Sequence, residues 1–104
     1  MMWLVDPRKI TDYLLSASSP TGAPKNRFFR SVGFEPAAWF VLRDALARHP
    51  ITAELAFIDP SSPYGEKRVY QCNITSPNGK NPCIRTVWQR AGSDFPLLTA
   101  YPFM

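Results

Sequence analysis

The chain has 104 residues, of which 45% are hydrophobic and 13% aromatic, a composition that excludes a disordered chain and is typical of one folded domain. It carries 12 Lys and Arg against 8 Asp and Glu, a formal charge of +4, which favours encounter with RNA or an acidic protein without proving either. No apolar run approaches the ~18 residues of a membrane helix and no secretion signal opens the chain, which predicts one cytoplasmic domain over residues 1–104.

Three short helices are predicted in the first half of the chain, because each begins at a proline and repeats apolar residues three or four positions apart. The side chain of Asp6 can accept hydrogen bonds at the start of the first helix. Gly33 ends the second helix and His49-Pro50 ends the third. The predicted helices cover residues 7–15, 25–32 and 36–48.

After residue 51 the apolar spacing changes from the helical period to alternation, which is typical of β-strands. Turn sequences separate four such segments, at residues 53–58, 67–75, 82–90 and 97–103. The order of elements predicts an α+β fold, with three N-terminal helices packed on one face of a four-stranded antiparallel sheet.

The turn at residues 76–80 sets the register between the two central strands. Proline at its second position and glycine at its fourth suit a type I turn followed by a bulged glycine. That turn places Cys72 opposite Ile84, with Cys72 on the apolar face and Cys83 on the polar face. We therefore expect no disulfide between the two cysteines.

The sheet face that the helices leave bare is predicted to be polar. Extending the register into the last strand puts Leu98 and Ala100 on the apolar face. The polar face then presents Gln71, Asn73, Arg85, Thr99 and Tyr101. A bare polar face of an antiparallel sheet is often only solvated, and that alternative stays open.

These polar groups suit cleavage of RNA without a metal ion, in which the 2′-hydroxyl attacks the adjacent phosphorus and negative charge builds on the phosphoryl oxygens. The planar guanidinium of Arg85 matches those oxygens, and Thr99 adds a hydroxyl contact. Tyr101 can stack a base or move a proton. Lys25 can supply charge or, with a lowered pKa, act as the base.

Other ionisable residues have simpler interpretations. His49, at a predicted helix end, is expected to interact with the helix dipole or cap carbonyls rather than catalyse. Glu66 is expected to be solvated and is a spare candidate for a base. One histidine and two separated cysteines do not have the spacing of a metal site, so we expect no metal and no cofactor.

Four blocks of the sequence, in order, resemble a bacterial family of about domain length, a domain of unknown function that occurs alone in small operons and at the ends of polymorphic toxins. The likeness covers nearly the whole chain. The blocks are Ile10–Leu15, Gly22-x-x-Lys25-x-x-Phe28-Phe29 with Gly33-Phe34, Arg85–Trp88 and Leu98–Pro102.

That family is in turn similar to the superfamily of barnase, EndoU, colicin-type tRNA nucleases and RelE-like toxins. The resemblance implies an endoribonuclease neutralised by a cognate antitoxin or immunity protein. Carried over by position, the residues with chemistry are Lys25, Arg85, Thr86, Thr99 and Tyr101. Of these, we predict that the catalytic residues are Lys25, Arg85, Thr99 and Tyr101. The predicted substrate-binding residues are Arg27, Arg30, Gln71, Asn73 and Thr86. Because the predicted polar face has no histidine, catalysis would follow the histidine-poor RelE-like style or be absent.

Two further functions stay open at this point. One is a non-catalytic protein-interaction module, such as an immunity or antitoxin-like partner or an adaptor in a defence operon. The other is an RNA- or DNA-binding domain without chemistry, whose affinity would fall as salt rises.

Overall fold

The computed structural model describes residues 2–16, 23–60, 63 and 65–103. The strands are β1 (Trp3–Leu4), β2 (Glu54–Asp59), β3 (Lys67–Asn73), β4 (Cys83–Gln89) and β5 (Phe95–Pro102). The helices are α1 (Pro7–Lys9), which continues as a π-helical turn (Ile10–Leu14), then α2 (Ala23–Ser31) and α3 (Trp39–Thr52), which follows a 3-10 turn (Pro36–Ala38). Within these ranges, no helix is both long and apolar enough to cross a membrane.

The five strands form one mixed sheet in the order β1-β5-β4-β3-β2. Strands β2 to β5 pair antiparallel with their neighbours, whereas β1 runs parallel to β5. The predicted architecture of three helices on a four-stranded antiparallel sheet is therefore wrong, although the fold is α+β. The error arises at β1, whose two residues are too few to show any strand period.

Helix ends follow the predicted capping chemistry at the first two helices and depart from it at the third. Asp6 accepts a hydrogen bond from the Arg8 N–H at 2.9 Å. Gly33, with φ 104°, ends α2, as predicted. Helix α3, in contrast, continues through Pro50 to Thr52. The predicted end before Pro50 is wrong because a proline removes only one hydrogen bond, and α3 keeps the next one.

The core lies between the helices and one face of the sheet. The π-helical turn contributes Ile10 and Leu14, and α3 contributes Leu42 and Leu46, all fully buried. From the sheet side these side chains meet the inward residues of β4 and β5, with Trp3 of β1 packing edge-on at 5.3 Å. The inward residues are Ile84, Trp88, Leu97 and Ala100.

The central hairpin has the predicted register, with Cys72 opposite Ile84. Its turn also has the predicted form, because Gly79 has φ 78° and its N–H donates to the Ser76 carbonyl at 3.0 Å. Cys72 and Cys83 nevertheless form a disulfide. The expectation that no disulfide forms is wrong because Cys72 has φ 106°, so its side chain does not follow the alternation of a regular strand.

A bulge in β5 changes which leucine is buried. Trp88 lies opposite Leu97, while Val87 lies opposite Thr99, so Leu98 is an extra residue. Leu97 is buried and Leu98 is 39% exposed, which corrects the expectation that Leu98 joins the apolar face. Beyond the bulge Ala100 is buried, as expected.

Candidate active site

The sheet face opposite the core, which we call the open face, is centred on Arg85 of β4. Arg85 lies directly opposite Gln71 on one side and Tyr101 on the other. Its Nε and Nη2 both donate to the Gln71 Oε1, at 3.3 and 3.2 Å. Three predicted site residues therefore lie in one row across the sheet.

Two aromatic rings flank the Arg85 guanidinium. Its central carbon lies 3.9 Å from the ring centroid of Phe103 and 5.8 Å from that of Phe57. Such cation–π contacts orient a guanidinium without neutralising its charge. Among the described residues, no carboxylate lies within ion-pair distance of Arg85. The charge is therefore available to an anion that approaches the open face.

The open face is less polar than the sequence predicts. Phe57 of β2 is 49% exposed and lies opposite Val69, which in turn lies opposite Val87. Val87 lies opposite Thr99. An apolar row therefore runs beside the row of Arg85, and an exposed ring at its end is a surface on which a nucleic-acid base can stack.

A second group of polar side chains, which we call the edge cluster, consists of Tyr13, Lys25 and Thr99. The Lys25 ammonium donates to the Tyr13 hydroxyl and, at 3.3 Å, to Thr99 Oγ1. Tyr13 comes from the π-helical turn and Lys25 from α2, and they meet Thr99 where β5 has passed beyond its pairing with β1. The helical layer thus contributes two side chains to a strand edge.

The edge cluster lowers the pKa of Tyr13. Partial burial of the phenol raises its pKa, but hydrogen bonds from Lys25 and Thr99 and the positive charges of Lys25 and Lys9 lower it by more. The net result is a pKa below the ordinary value of a tyrosine. A phenol with a lowered pKa is a better proton acceptor near neutral pH.

The π-helical turn explains how Tyr13 reaches the edge cluster. Its widened turn is closed by a bond from the Leu15 N–H to the Ile10 carbonyl at 2.8 Å, five residues apart. Ile10 and Leu14 remain buried, while Tyr13 is only partly covered. Lys9, just before the turn, donates to the Leu98 carbonyl at 3.1 Å. The turn and the Lys9 contact thereby hold Tyr13 at the edge of β5, where Lys25 of α2 reaches it.

The two groups of side chains are neighbours on β5. Thr99 and Tyr101 are two residues apart, so alternation puts both on the face that carries Arg85. Thr99 and Arg85 are then diagonal neighbours across the β4–β5 pair, a spacing of about 7–8 Å in an antiparallel sheet. A ribose and its phosphate can bridge that gap.

The remaining predicted site residues do not join these groups. Thr86 is fully buried under α3 and cannot contact a substrate. The Asn73 amide donates to the Asn81 carbonyl and holds the turn. Arg27 and Arg30 are exposed on α2 and contribute positive charge rather than a defined contact.

His49 occupies a buried hydrogen-bond network instead of a helix cap. Its Nε2 lies 2.8 Å from the Cys72 carbonyl and its Nδ1 2.7 Å from Thr86 Oγ1, which also accepts from the Trp88 indole N–H at 2.8 Å. A carbonyl only accepts, so Nε2 carries the proton and Nδ1 accepts from the Thr86 hydroxyl. Burial lowers the pKa of His49, against the opposing effect of the Cys72 carbonyl.

Glu66 is engaged as well, which argues against its use as a spare base. It pairs with Arg68 at 2.5 Å and with Arg90 at 3.4 Å. The hydrogen bond from Arg68 is the main reason that the pKa of Glu66 lies below its ordinary value. Glu66 therefore stays ionised and connects β3 to the end of β4.

Sequence reasoning missed Tyr13, Phe57 and Phe103. Tyr13 lies four residues or fewer from Ile10 and Leu14, so the helical period assigned all three to the core. Phe57 lies in an apolar run of residues 55–58, so the sequence did not indicate that its ring is exposed. No local pattern links residue 13 to residues 25 and 99, and only the packed structure brings them together.

The comparisons with known proteins give a family but no function. The family model described as Domain of unknown function (DUF6883) matches residues 2–104. No curated protein and no solved structure matches the chain. In the part of the chain that the structure describes, no three His, Cys, Asp or Glu side chains group together to hold a metal ion.

Proposed function

We propose that this chain, which belongs to the DUF6883 family, is an endoribonuclease that cleaves RNA without a metal ion. As a toxin domain it would act on cellular RNA and be neutralised by a cognate antitoxin or immunity protein. The observation that carries the proposal is the edge cluster, in which Lys25 donates to Tyr13 and to Thr99 beside the unneutralised Arg85.

Tyr13 supplies the proton acceptor in this reaction. The adjacent ammonium of Lys25 stabilises the phenolate, which takes the proton from the 2′-hydroxyl as its oxygen attacks phosphorus. Thr99 donates a hydroxyl hydrogen bond next to the same oxygen. The role of base thus falls to a tyrosine from the helical layer and not to Lys25 itself.

Arg85 stabilises the charge that develops on the phosphoryl oxygens, because its guanidinium is held by Gln71 and Phe103 before substrate arrives. Tyr101 lies directly opposite Arg85, and to it we assign the donation of a proton to the departing 5′-oxygen. The products are a 2′,3′-cyclic phosphate and a 5′-hydroxyl end. Phe57 provides a stacking surface for a neighbouring base.

The direct test is incubation of total RNA with the protein in EDTA, followed by analysis of the new RNA ends. The wild-type protein should produce cyclic phosphate ends, and Arg85→Ala should lower the rate by about 100-fold or more, the ordinary effect of removing one charged stabilising group. Arg43→Ala removes the same charge from α3, away from the open face, and should cleave at the wild-type rate. Intact RNA with the wild-type protein would refute the proposal.

The pH dependence separates the two tyrosines. A base must be deprotonated, so the cleavage rate should rise with pH and level off at the Tyr13 pKa, below the ordinary value of about 10. Tyr13→Phe should lose this rise, whereas Tyr101→Phe should keep it at a lower overall rate. A rise that persists in Tyr13→Phe would assign the base elsewhere.

A non-catalytic protein-interaction module is the second candidate, and the apolar edge of β2 favours it. Leu55, Phe57 and Ile58 are all exposed on β2, which among the described strands pairs with β3 alone. Such edges accept a further strand. This function predicts a partner that co-purifies at a fixed ratio and is lost with Ile58→Lys. In that case Arg85→Ala would change affinity alone, and RNA would stay intact.

A further inference from the structure

Cys72 has a backbone conformation that is unusual for its place in the fold. It lies within β3, yet its φ is 106°, a value that residues with a side chain rarely adopt. The other described non-glycine residue with positive φ is Asn81, in a turn, where asparagine tolerates it. Cys72 is thus a strand residue held out of the extended conformation.

The disulfide to Cys83 accounts for this conformation. Cys72 lies opposite Ile84, and Asn73 lies opposite Cys83, so the two cysteines are offset by one residue. Side chains offset by one residue in a regular ladder point to opposite faces. The sulfur atoms can meet only because the backbone turns at Cys72, and the bond in turn keeps the backbone there.

Both cysteines adjoin the groups that hold Arg85. Gln71, which accepts from two Arg85 nitrogens, directly precedes Cys72. The carbonyl of Cys83 accepts from the Phe103 N–H at 3.0 Å, and the Phe103 ring contacts the guanidinium. The disulfide therefore joins the two backbone segments that carry the supports of Arg85.

The carbonyl of Cys72 also connects this region to the helical layer. It accepts the Nε2 proton of His49 at 2.8 Å, and His49 is buried in α3. The direction of that carbonyl depends on the backbone torsions at Cys72 and Asn73. A change in the Cys72 conformation would therefore alter hydrogen bonds on both sides of the sheet, those of Arg85 with Gln71 and that of His49.

We propose that the Cys72–Cys83 disulfide is a redox-responsive site that keeps Arg85 ordered, and that its reduction disorders Arg85. The idea that the disulfide regulates RNA cleavage rests on the function proposed above. Once the bond is cut, Cys72 can return to the extended conformation, which turns Gln71 away from Arg85 and withdraws the carbonyl from His49.

The co-reactant is a dithiol reductant. Its thiolate attacks one protein sulfur and breaks the protein S–S bond, and the other cysteine leaves as a thiolate and takes up a proton. The second thiol of the reductant then attacks the mixed disulfide and releases the remaining cysteine. Two electrons pass to the protein, which gains two thiols, and the reductant becomes a cyclic disulfide.

The test compares two double variants that both lack the disulfide. Cys72→Gly with Cys83→Ser can keep the positive φ without the bond, because glycine adopts it at no steric cost. In Cys72→Ser with Cys83→Ser, the serine at position 72 should return to the extended conformation, because a residue with a side chain rarely adopts a positive φ. In NMR spectra, the Arg85 Nε–H and Gln71 amide signals of the glycine variant should match those of the oxidised wild type. The serine variant should match the wild type reduced with dithiothreitol.

RNA cleavage gives the second measurement. Reduced wild type and the serine variant should cleave about 10-fold more slowly than oxidised wild type, the usual effect of losing a hydrogen bond to a charged group, while the glycine variant should not. Spectra that do not change with dithiothreitol, or double variants with the same spectra, would overturn the proposal. If the spectra behave as expected but no state cleaves RNA, the redox site stands and the proposed function fails.

Discussion

Replacing Thr86 by valine tests the buried network that joins α3 to the sheet. The Thr86 hydroxyl donates to His49 Nδ1 and accepts from the Trp88 indole N–H, and the residue is 0% exposed. Valine has nearly the same shape but no hydroxyl. The substitution therefore leaves one buried acceptor and one buried donor without partners, and no water can reach them without a change in packing.

The expected loss follows from those two groups. Each buried polar group without a partner costs about 2 kcal/mol, the middle of the usual range, and the added methyl returns about 0.8 kcal/mol, so the free energy of unfolding should fall by about 3 kcal/mol. Unfolding of a chain of this length has an entropy of about 0.2 kcal/mol per degree, so the Tm should be about 15 °C lower. Thermal and urea unfolding followed by circular dichroism would measure it.

Thr86→Ser is the matched control, because it keeps the hydroxyl and removes only a buried methyl. It should cost about 1 kcal/mol, and the Trp88 indole proton should stay protected from exchange, whereas Thr86→Val should lose that protection. If Thr86→Val is as stable as Thr86→Ser, the hydrogen bonds of Thr86 do not hold the network and the tautomer assigned to His49 loses its basis.

Two further predictions concern stability. His49 is buried in its neutral form with a pKa below the ordinary value of 6.5, so below pH 6.5 the unfolded chain binds more protons than the folded one. The free energy of unfolding should therefore fall as the pH drops below 6.5, by at most about 1.4 kcal/mol per pH unit from this group. Urea titrations from pH 8 to 5 that show no such fall in wild type, or the same fall in His49→Gln, would contradict this. Gly33→Ala should cost about 2 kcal/mol or more in thermal melts, because a Cβ at φ 104° would lie 3.0 Å from Pro77 Cβ and 3.1 Å from the Asn78 nitrogen. Gly79→Ala, at φ 78° with open space around it, should cost clearly less, and equal losses would show that backbone conformation alone sets the cost.

The hairpin register was predictable because one turn determines it. Proline and glycine at fixed positions of residues 76–80 select the turn type, and the turn places Cys72 opposite Ile84. Alternation then orders the side chains of the whole β3–β4 pair. The row of Gln71, Arg85 and Tyr101 follows from the same register, so this half of the candidate site was within reach of the sequence.

The disulfide was out of reach because it depends on a torsion angle that sequence does not encode locally. Strict alternation separates Cys72 from Cys83, and a positive φ at a cysteine has no composition signal. The bulge at Leu98 was not predicted for a related reason, since Leu97 and Leu98 are equally apolar and either can face the core. In both cases the packed partners decide the outcome.

Tyr13 illustrates a second limit, which is the assignment of amphipathic side chains. A tyrosine at helical spacing from two core residues is expected to bury its ring, and its hydroxyl is ignored. The π-helical turn rotates Tyr13 towards the sheet edge, where Lys25 and Thr99 meet it. The chemistry of the edge cluster therefore comes from three segments that are distant in sequence.

The parallel pairing of β1 with β5 has a consequence for the order of events while the chain is being made. Met2 and Asp94, which are 92 positions apart, are joined by a hydrogen bond, and the β1 ladder adjoins it. A nascent chain cannot form this pairing until β5 has left the ribosome, and contacts of such long range slow folding. Until then β1 has no strand to join, and Trp3 lacks its contact with the Phe95 ring, although Tyr70 and Trp88 are already available to it.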